Sequence, residues 1–443
     1  MLDAFSSDVA RVSLQLYRRK SASLHLSGLK PVGSRDTTFH VQGEPFKTLA
    51  DGDAYKFLRK PVGYSLVQDF SNLNSVIDIG KKVMDSKLAP WQRLDALRTF
   101  FFPVLQFAMR TNQFGKGVWG KIDTMVRREV KRTLNIPMEA ARDLYGKRDK
   151  GSLAIPCAAE DSDLYRIDSA FKLLTSRDPD VQTIAADYLK ATCAKRLKRT
   201  PSDSEMGEFM SGSMKGNFAG SANEALNVWT CARAASRRLG VSWTFQDRSP
   251  ELQLRDVTVQ AAGRRKLTKS FREKLRDDRS RALAAKPSQG KTMECVAADK
   301  ASSHFLYDGS YTMFADWRFV HRARLNFVPL NACKPWLRGN NRACRRCKAR
   351  EETLPHVTSH CMRNSQAMQI RHNVVLKRVV KAAGHSAEVV SVNQRVGPDN
   401  LNLRPDAVIK RRRGRSRDIS YKRQYSGIKH LSSEHKEHKA KFR

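Results

Sequence analysis

CRRCKAREETLPHVTSHC, residues 344–361, decides how the chain is read. Its Cys344, Cys347, His356 and Cys361 follow the spacing C-x2-C-x8-H-x4-C. Three thiolates and one imidazole are the donors that tetrahedral Zn²⁺ takes, and two residues between the first cysteines let both sulfurs reach one ion. The segment is short, so metal binding rather than apolar burial is expected to supply its folding free energy. The alternative is three unrelated buried cysteines and a surface histidine. His360, beside Cys361, competes with His356 as the nitrogen ligand; His356 follows Pro355 and fits the spacing. Arg338, Arg342, Arg345, Arg346, Lys348 and Arg350 surround the ligands. A structural Zn²⁺ would then hold a phosphate-binding surface in shape, and function would come from that surface.

Working outward, the whole chain is strongly cationic. Eighty-two Lys and Arg stand against 44 Asp and Glu in 443 residues, a formal net charge of +38 and a pI near 10.3. Such a chain repels itself without an anionic partner, and nucleic acid fits because each neutralised phosphate releases condensed counterions. A membrane surface is the weaker rival, since the most apolar run, Thr99 to Met109, is too short to span a bilayer. MLDAFSSDVARVSLQLYRRK at the start lacks the apolar core and small-residue cleavage site of a secretory signal, so an intracellular protein is expected. Eight cysteines, of which only Cys344, Cys347 and Cys361 cluster, point to metal rather than to a disulfide scaffold.

The remaining sequence reads as several small domains. Residues 1 to 75 alternate in short runs, Ala22 to Leu26 and Thr38 to Val41, between Gly33, Gly43 and Gly52, which predicts hairpin strands at the edge of an α/β domain. Leu94, Leu97, Phe101, Leu105 and Ala108 recur at helical spacing and predict a buried helix kinked at Pro103. A second helix from about Gly120 to Leu134 puts Ile122, Val126, Val130 and Leu134 on one stripe, with Arg127, Arg128, Lys131 and Arg132 around the remainder. That basic face is either simply solvated or a phosphate contact; the net charge favours contact. Residues 150 to 255 keep a helical texture interrupted by a loop at 199 to 222, and 264 to 291 read as an exposed helix or flexible linker without a core.

FADWRFVHRARLNFVPLN at 314–331, the 344–361 segment and RHN at 371–373 together resemble the C-terminal region of site-specific non-LTR retrotransposon polyproteins that carry a restriction-like endonuclease. The resemblance continues upstream through LAPWQRLDALRTFFFP (88–103), IDTMVRREVKRTLNIP (122–137) and FKLLTSRDPDV (171–181), and so covers most of the chain. It implies that LAPWQ (88–92) and the helices with it form the helical thumb of a reverse transcriptase, gripping a template–primer duplex by its backbone. YKFLRKPVG (55–63) is similar to a turn near the end of the family's palm, with Arg59 where the family has glycine; Ser21 stands where it has cysteine. LYRRKSASLHL (16–26) resembles the segment that follows the family's paired catalytic aspartates, so the polymerase centre is expected to be missing and the chain alone is not expected to extend a primer.

The resemblance also implies a nuclease after the knuckle. Arg404, Pro405 and Asp406 match the family's R-P-D turn, Asp418 follows as the second carboxylate, and Lys436 or Lys439 is the candidate lysine. Both carboxylates would have to converge on Mg²⁺ to activate a water against a phosphodiester. KRRRGRSR (410–417) occupies the place of an apolar buried strand, and such a cationic run is costly to bury. Asp406 and Asp418 are therefore either a residual nuclease or surface acids in a disordered basic tail. With thirteen Lys or Arg and three Asp or Glu from Lys410 to Arg443, that tail should bind nucleic acid either way and could serve as a nuclear localisation signal.

The expected architecture is mainly α with α/β pieces: a palm remnant (1–80), a helical thumb (81–150), a helical connector with a basic linker (151–300), a CCHC zinc-knuckle region (301–375) and a truncated α/β restriction-like endonuclease with basic tail (376–443). The expected function is binding of element RNA and target DNA during target-primed reverse transcription, in the nucleus and also the cytoplasm. A non-catalytic, zinc-stabilised RNA- and DNA-binding protein derived from a degenerate element is the alternative.

Overall fold

A computed structural model describes residues 2–14, 20–41, 44–57, 60–66, 69–111, 114–136, 144–219, 226–246, 249–309, 312–333, 341–384, 387–395 and 405–411. The chain is mainly helical with small sheets and divides into two units, Met1–Val328 and Pro329–Arg443. Among the described residues no helix is long and apolar enough to cross a membrane.

The first unit opens with helix α1 (Leu2–Arg11) and eight strands of two or three residues: β1 (Ala22–Ser23), β2 (His25–Ser27), β3 (Gly33–Arg35), β4 (His40–Val41), β5 (Glu44–Pro45), β6 (Lys47–Thr48), β7 (Tyr55–Phe57) and β8 (Lys60–Val62). They pair two by two, β1 with β6 in parallel and β2–β3, β4–β5 and β7–β8 as hairpins. The hairpins expected from the glycine spacing are present, but among the described residues no strand there has two partners, so no continuous sheet forms.

Helices α2 (Ser71–Asp85), α3 (Pro90–Ala96), α4 (Phe102–Arg110) and α5 (Lys116–Leu134) build the first core around Leu94, Leu97, Phe101, Leu105, Trp119, Ile122, Val126 and Val130. The expected kink at Pro103 takes a different form. Proline has no N–H to offer the carbonyl four residues back, and its ring crowds that carbonyl. The chain answers with a π turn at Leu97–Phe101, where the Phe102 N–H reaches the Leu97 carbonyl five residues back, and α4 restarts with Pro103 in its first turn.

A second core gathers α6 (Ala158–Leu174), α7 (Pro179–Leu197), α8 (Asp203–Met210), α9 (Val228–Leu239) and an antiparallel meander of β9 (Val241–Gln246), β10 (Ser249–Leu254) and β11 (Val257–Val259). Two expectations are corrected here. The presumed loop at 199–222 contains α8, started by a capping box in which the Ser202 hydroxyl accepts from the Glu205 N–H and the Glu205 carboxylate accepts from the Ser202 N–H. The charged run after Arg264 is α10 (Leu267–Ala284), and it is not coreless: Leu267, Phe271 and Leu275 pack in the second core and Leu283 in the first. α11 (Gly290–Ala298) and α12 (Phe314–Arg324) close the unit, the latter through buried Trp317 and His321.

The second unit carries the Cys/His turn, then α13 (Ser365–Gly384) and a hairpin of β12 (Ala387–Val392) with β13 (Ala407–Arg411). Beyond Pro329 the buried apolar side chains of the described residues are Cys333, Cys344 and Cys361.

Candidate metal centre and its cationic rim

The turn is built by backbone hydrogen bonds that fold 342–352 back on itself. The Cys344 N–H donates to the Arg350 carbonyl (2.7 Å), the Lys348 N–H to the Cys344 carbonyl (2.9 Å) and the Glu352 N–H to the Arg342 carbonyl (2.9 Å). Lys348 makes the reversal in the left-handed region, φ 59°. A following π turn, His356–His360, ends with the Cys361 N–H on the His356 carbonyl (2.7 Å). It buries His356 and leaves His360 exposed, which settles the competition between the two histidines in this structure.

One ligand atom from each of Cys344, Cys347, His356 and Cys361 lies within 4.8 Å of the others. The Cys344 and Cys361 sulfurs are 4.0 Å apart, and Cys347 Sγ is 3.3 Å from His356 Nε2. Two sulfurs at about 2.3 Å from a tetrahedral centre stand about 3.8 Å apart, and a sulfur and an imidazole nitrogen about 3.5 Å apart. The four donors therefore fit a metal ion such as zinc. The N–H groups of Ala349 and then Arg350 point at Cys347 and, with His356 and Cys344, bring its thiol down to about 6 despite partial burial. Burial and the Cys344 sulfur hold the Cys361 thiol up.

Glu352 was not singled out in the sequence, yet it organises the rim. Burial pushes its carboxyl up, but hydrogen bonds from the Arg345 side chain and from the N–H groups of Asn331 and Arg345 outweigh this and leave it low. Arg345 Nε lies 2.7 Å from Glu352 Oε1, and Arg345 Nη2 donates to the Pro329 carbonyl (3.1 Å). Arg345, expected to contact phosphate, is thus tied to Glu352. Arg346, Lys348 and Arg350 are exposed, and Arg342 pairs with Glu351 at 2.8 Å.

The basic face of α5, in the first unit, is only partly free. Lys131 is buried at 1% exposure, which removes it from any phosphate-contacting surface. Arg127 is half-buried with its Nε 3.3 Å from the Tyr145 hydroxyl, and Arg132 pairs with Asp85 and, at 2.9 Å, with Glu129. Arg128 is exposed, its Nε 3.3 Å from Glu129.

Of the expected nuclease residues, Asp418, Lys436 and Lys439 lie outside the described residues, as does Arg404. Asp406 is exposed just before β13, and its carboxylate meets His372 Nε2 at 3.1 Å. Asn373 and then Asp406 raise the His372 pKa above its ordinary value. Among the described residues the Cys/His cluster is the one group of three or more possible metal ligands, and Asp406 is not part of it. Lys410 and Arg411 fall on β13, a two-stranded ribbon rather than a buried strand. No protein-family model matches this sequence, and no curated protein matches it.

Proposed function

We propose that the chain is a zinc-stabilised nucleic-acid-binding protein whose partners are RNA and DNA. The observation that carries this reading is the Cys₃His cluster in a turn that also carries exposed Arg346, Lys348 and Arg350. Cys344, Cys347, His356 and Cys361 would hold the ion, whose contribution when bound is structural: it fixes the turn without an open position for chemistry. The chain's own residues do the binding. The tightened turn presents cations at fixed spacing, and phosphate contacts of this kind draw affinity from counterion release. The net charge of +38 supports the same partner and a nuclear location.

The test is a gel shift of zinc-loaded protein on structured RNA and on DNA over a range of salt, repeated after chelation. Tight, salt-sensitive binding that weakens on chelation supports the reading; chelation that removes zinc and leaves affinity unchanged overturns it.

The finer reading, a piece of a retrotransposon reverse transcriptase/endonuclease polyprotein, is supported by the motif resemblance and by Asp406 standing at the head of β13 beside His372. Nicking of supercoiled plasmid in Mg²⁺ that is lost in Asp406→Ala would support the endonuclease. No nicking leaves the non-catalytic binder, and nicking that persists in that variant overturns the role of Asp406.

A further inference from the structure

Helix α13 is twenty residues long and none of its side chains is fully buried. Its inward stripe, Met368, His372, Leu376, Val380 and Ala383, is half-buried at helical spacing. The opposite face carries Ile370, Arg371, Val374, Lys377, Arg378 and Lys381, all exposed, with Ile370 58% and Val374 50% open to solvent. Such an outward face ordinarily collects acids as well as bases, since mixed signs stabilise a helix surface. Here no Asp or Glu occurs from Thr353 to Ala387, and among the described residues none of the four cations is in an ion pair.

Resting on the nucleic-acid reading above, we propose that this outward face of α13 docks on the phosphate backbone of a nucleic-acid duplex. Charge complementarity names an anionic partner. Arg371 and Lys381 are ten positions apart, about 15 Å along the helix. With its side chains an α-helix is about 10–12 Å across, which the major groove, about 12 Å wide, admits between its two phosphate rows. Ile370 and Val374 share that face with the cations, where a thymine methyl on the base edges offers apolar contact. A single strand is the poorer fit, because it is gripped by aromatic side chains under its bases and α13 has no Phe, Tyr or Trp.

The experiment uses the full, zinc-loaded chain and measures affinity against salt for a DNA duplex of a few helical turns, its isolated single strand, and vesicles containing anionic phospholipid. The variant is Lys377→Gln/Arg378→Gln/Lys381→Gln. The control is Lys82→Gln/Lys195→Gln/Lys269→Gln, three exposed lysines on other helices. Loss of three phosphate contacts should lower the salt slope on duplex by about 2 to 3 and weaken binding about tenfold or more near physiological salt, with little change in the control. An unchanged slope in the α13 variant, with wild-type binding intact, overturns this proposal and leaves the broader reading standing. Equal loss on the single strand overturns the duplex assignment. Loss of vesicle binding with duplex binding unchanged overturns it in favour of a membrane surface. Failure of wild-type protein to bind either nucleic acid overturns both readings together.

Discussion

In protein loaded with zinc at the Cys₃His group, chelation should unfold the 344–361 turn while the first unit stays intact. The reason is what the turn lacks. Among the described residues of 341–364 the buried side chains are Cys344, Glu352, His356 and Cys361, three of them ligands and the fourth a carboxylate. Burying two cysteines contributes only about 1–2 kcal/mol, at about 0.8 kcal/mol per methylene-sized group. A structural zinc supplies about 10–16 kcal/mol near neutral pH, several times what that burial contributes. Amide hydrogen exchange reads this directly. The N–H groups of Cys344, Glu352 and Cys361, bonded to the carbonyls of Arg350, Arg342 and His356, should be protected in the metal-loaded protein and exchange freely after chelation. Amides of α5 should not change. Slow exchange at those three positions in metal-free protein would refute the argument, because the turn would then be held by something other than its ligands.

Lys348 sits at φ 59°, where a residue with a Cβ is strained, so Lys348→Gly should raise the stability of the metal-loaded turn by about 1 kcal/mol while weakening nucleic-acid binding; thermal melts and gel shifts measure both. His321 is fully buried against Trp317 (4.4 Å between rings) and Phe305, and burial, with Arg324 nearby, holds its pKa down to about 3. Its folded value lies below its unfolded one near 6.5, so the unfolded chain takes up the extra proton and stability falls as pH drops from 6.5 towards 3, by about 1.4 kcal/mol per pH unit. His321→Phe should flatten that portion of a denaturant-midpoint-against-pH curve, and an unchanged slope would refute the assignment. Asp163, 1% exposed, joins Lys116 to Arg238 (2.6 Å); Asp163→Ala should cost about 3 kcal/mol or more in equilibrium unfolding, and a cost below 1 would mean solvent already screens the cluster.

What was legible in the sequence follows from which constraints are local. The ligand set was readable because a tetrahedral ion dictates spacing, and 344–361 satisfies it within eighteen residues. The choice of His356 over His360 depends on the π turn between them, which residue type alone does not announce. α8 had a readable start in Ser202-x-x-Glu205, hidden among Ser and Gly that suggest loop. The β9–β11 meander was missed because β9 offers one short alternation, Val241, Trp243 and Phe245 inward, inside a long helical stretch. Lys131 shows the limit of periodicity. A helix's own sequence reveals its most apolar stripe but not how many neighbours surround it. α5 meets α2, α3, α6 and α12, so its buried face widens beyond Ile122, Val126 and Val130 to include a lysine. α13 packs chiefly on its hairpin and the turn before it, and its cations stay in solvent. Two basic helices that look alike as sequences thus differ in how much charge they can offer a phosphate. The difference is made by packing, and it moves the expected contact from α5 to α13.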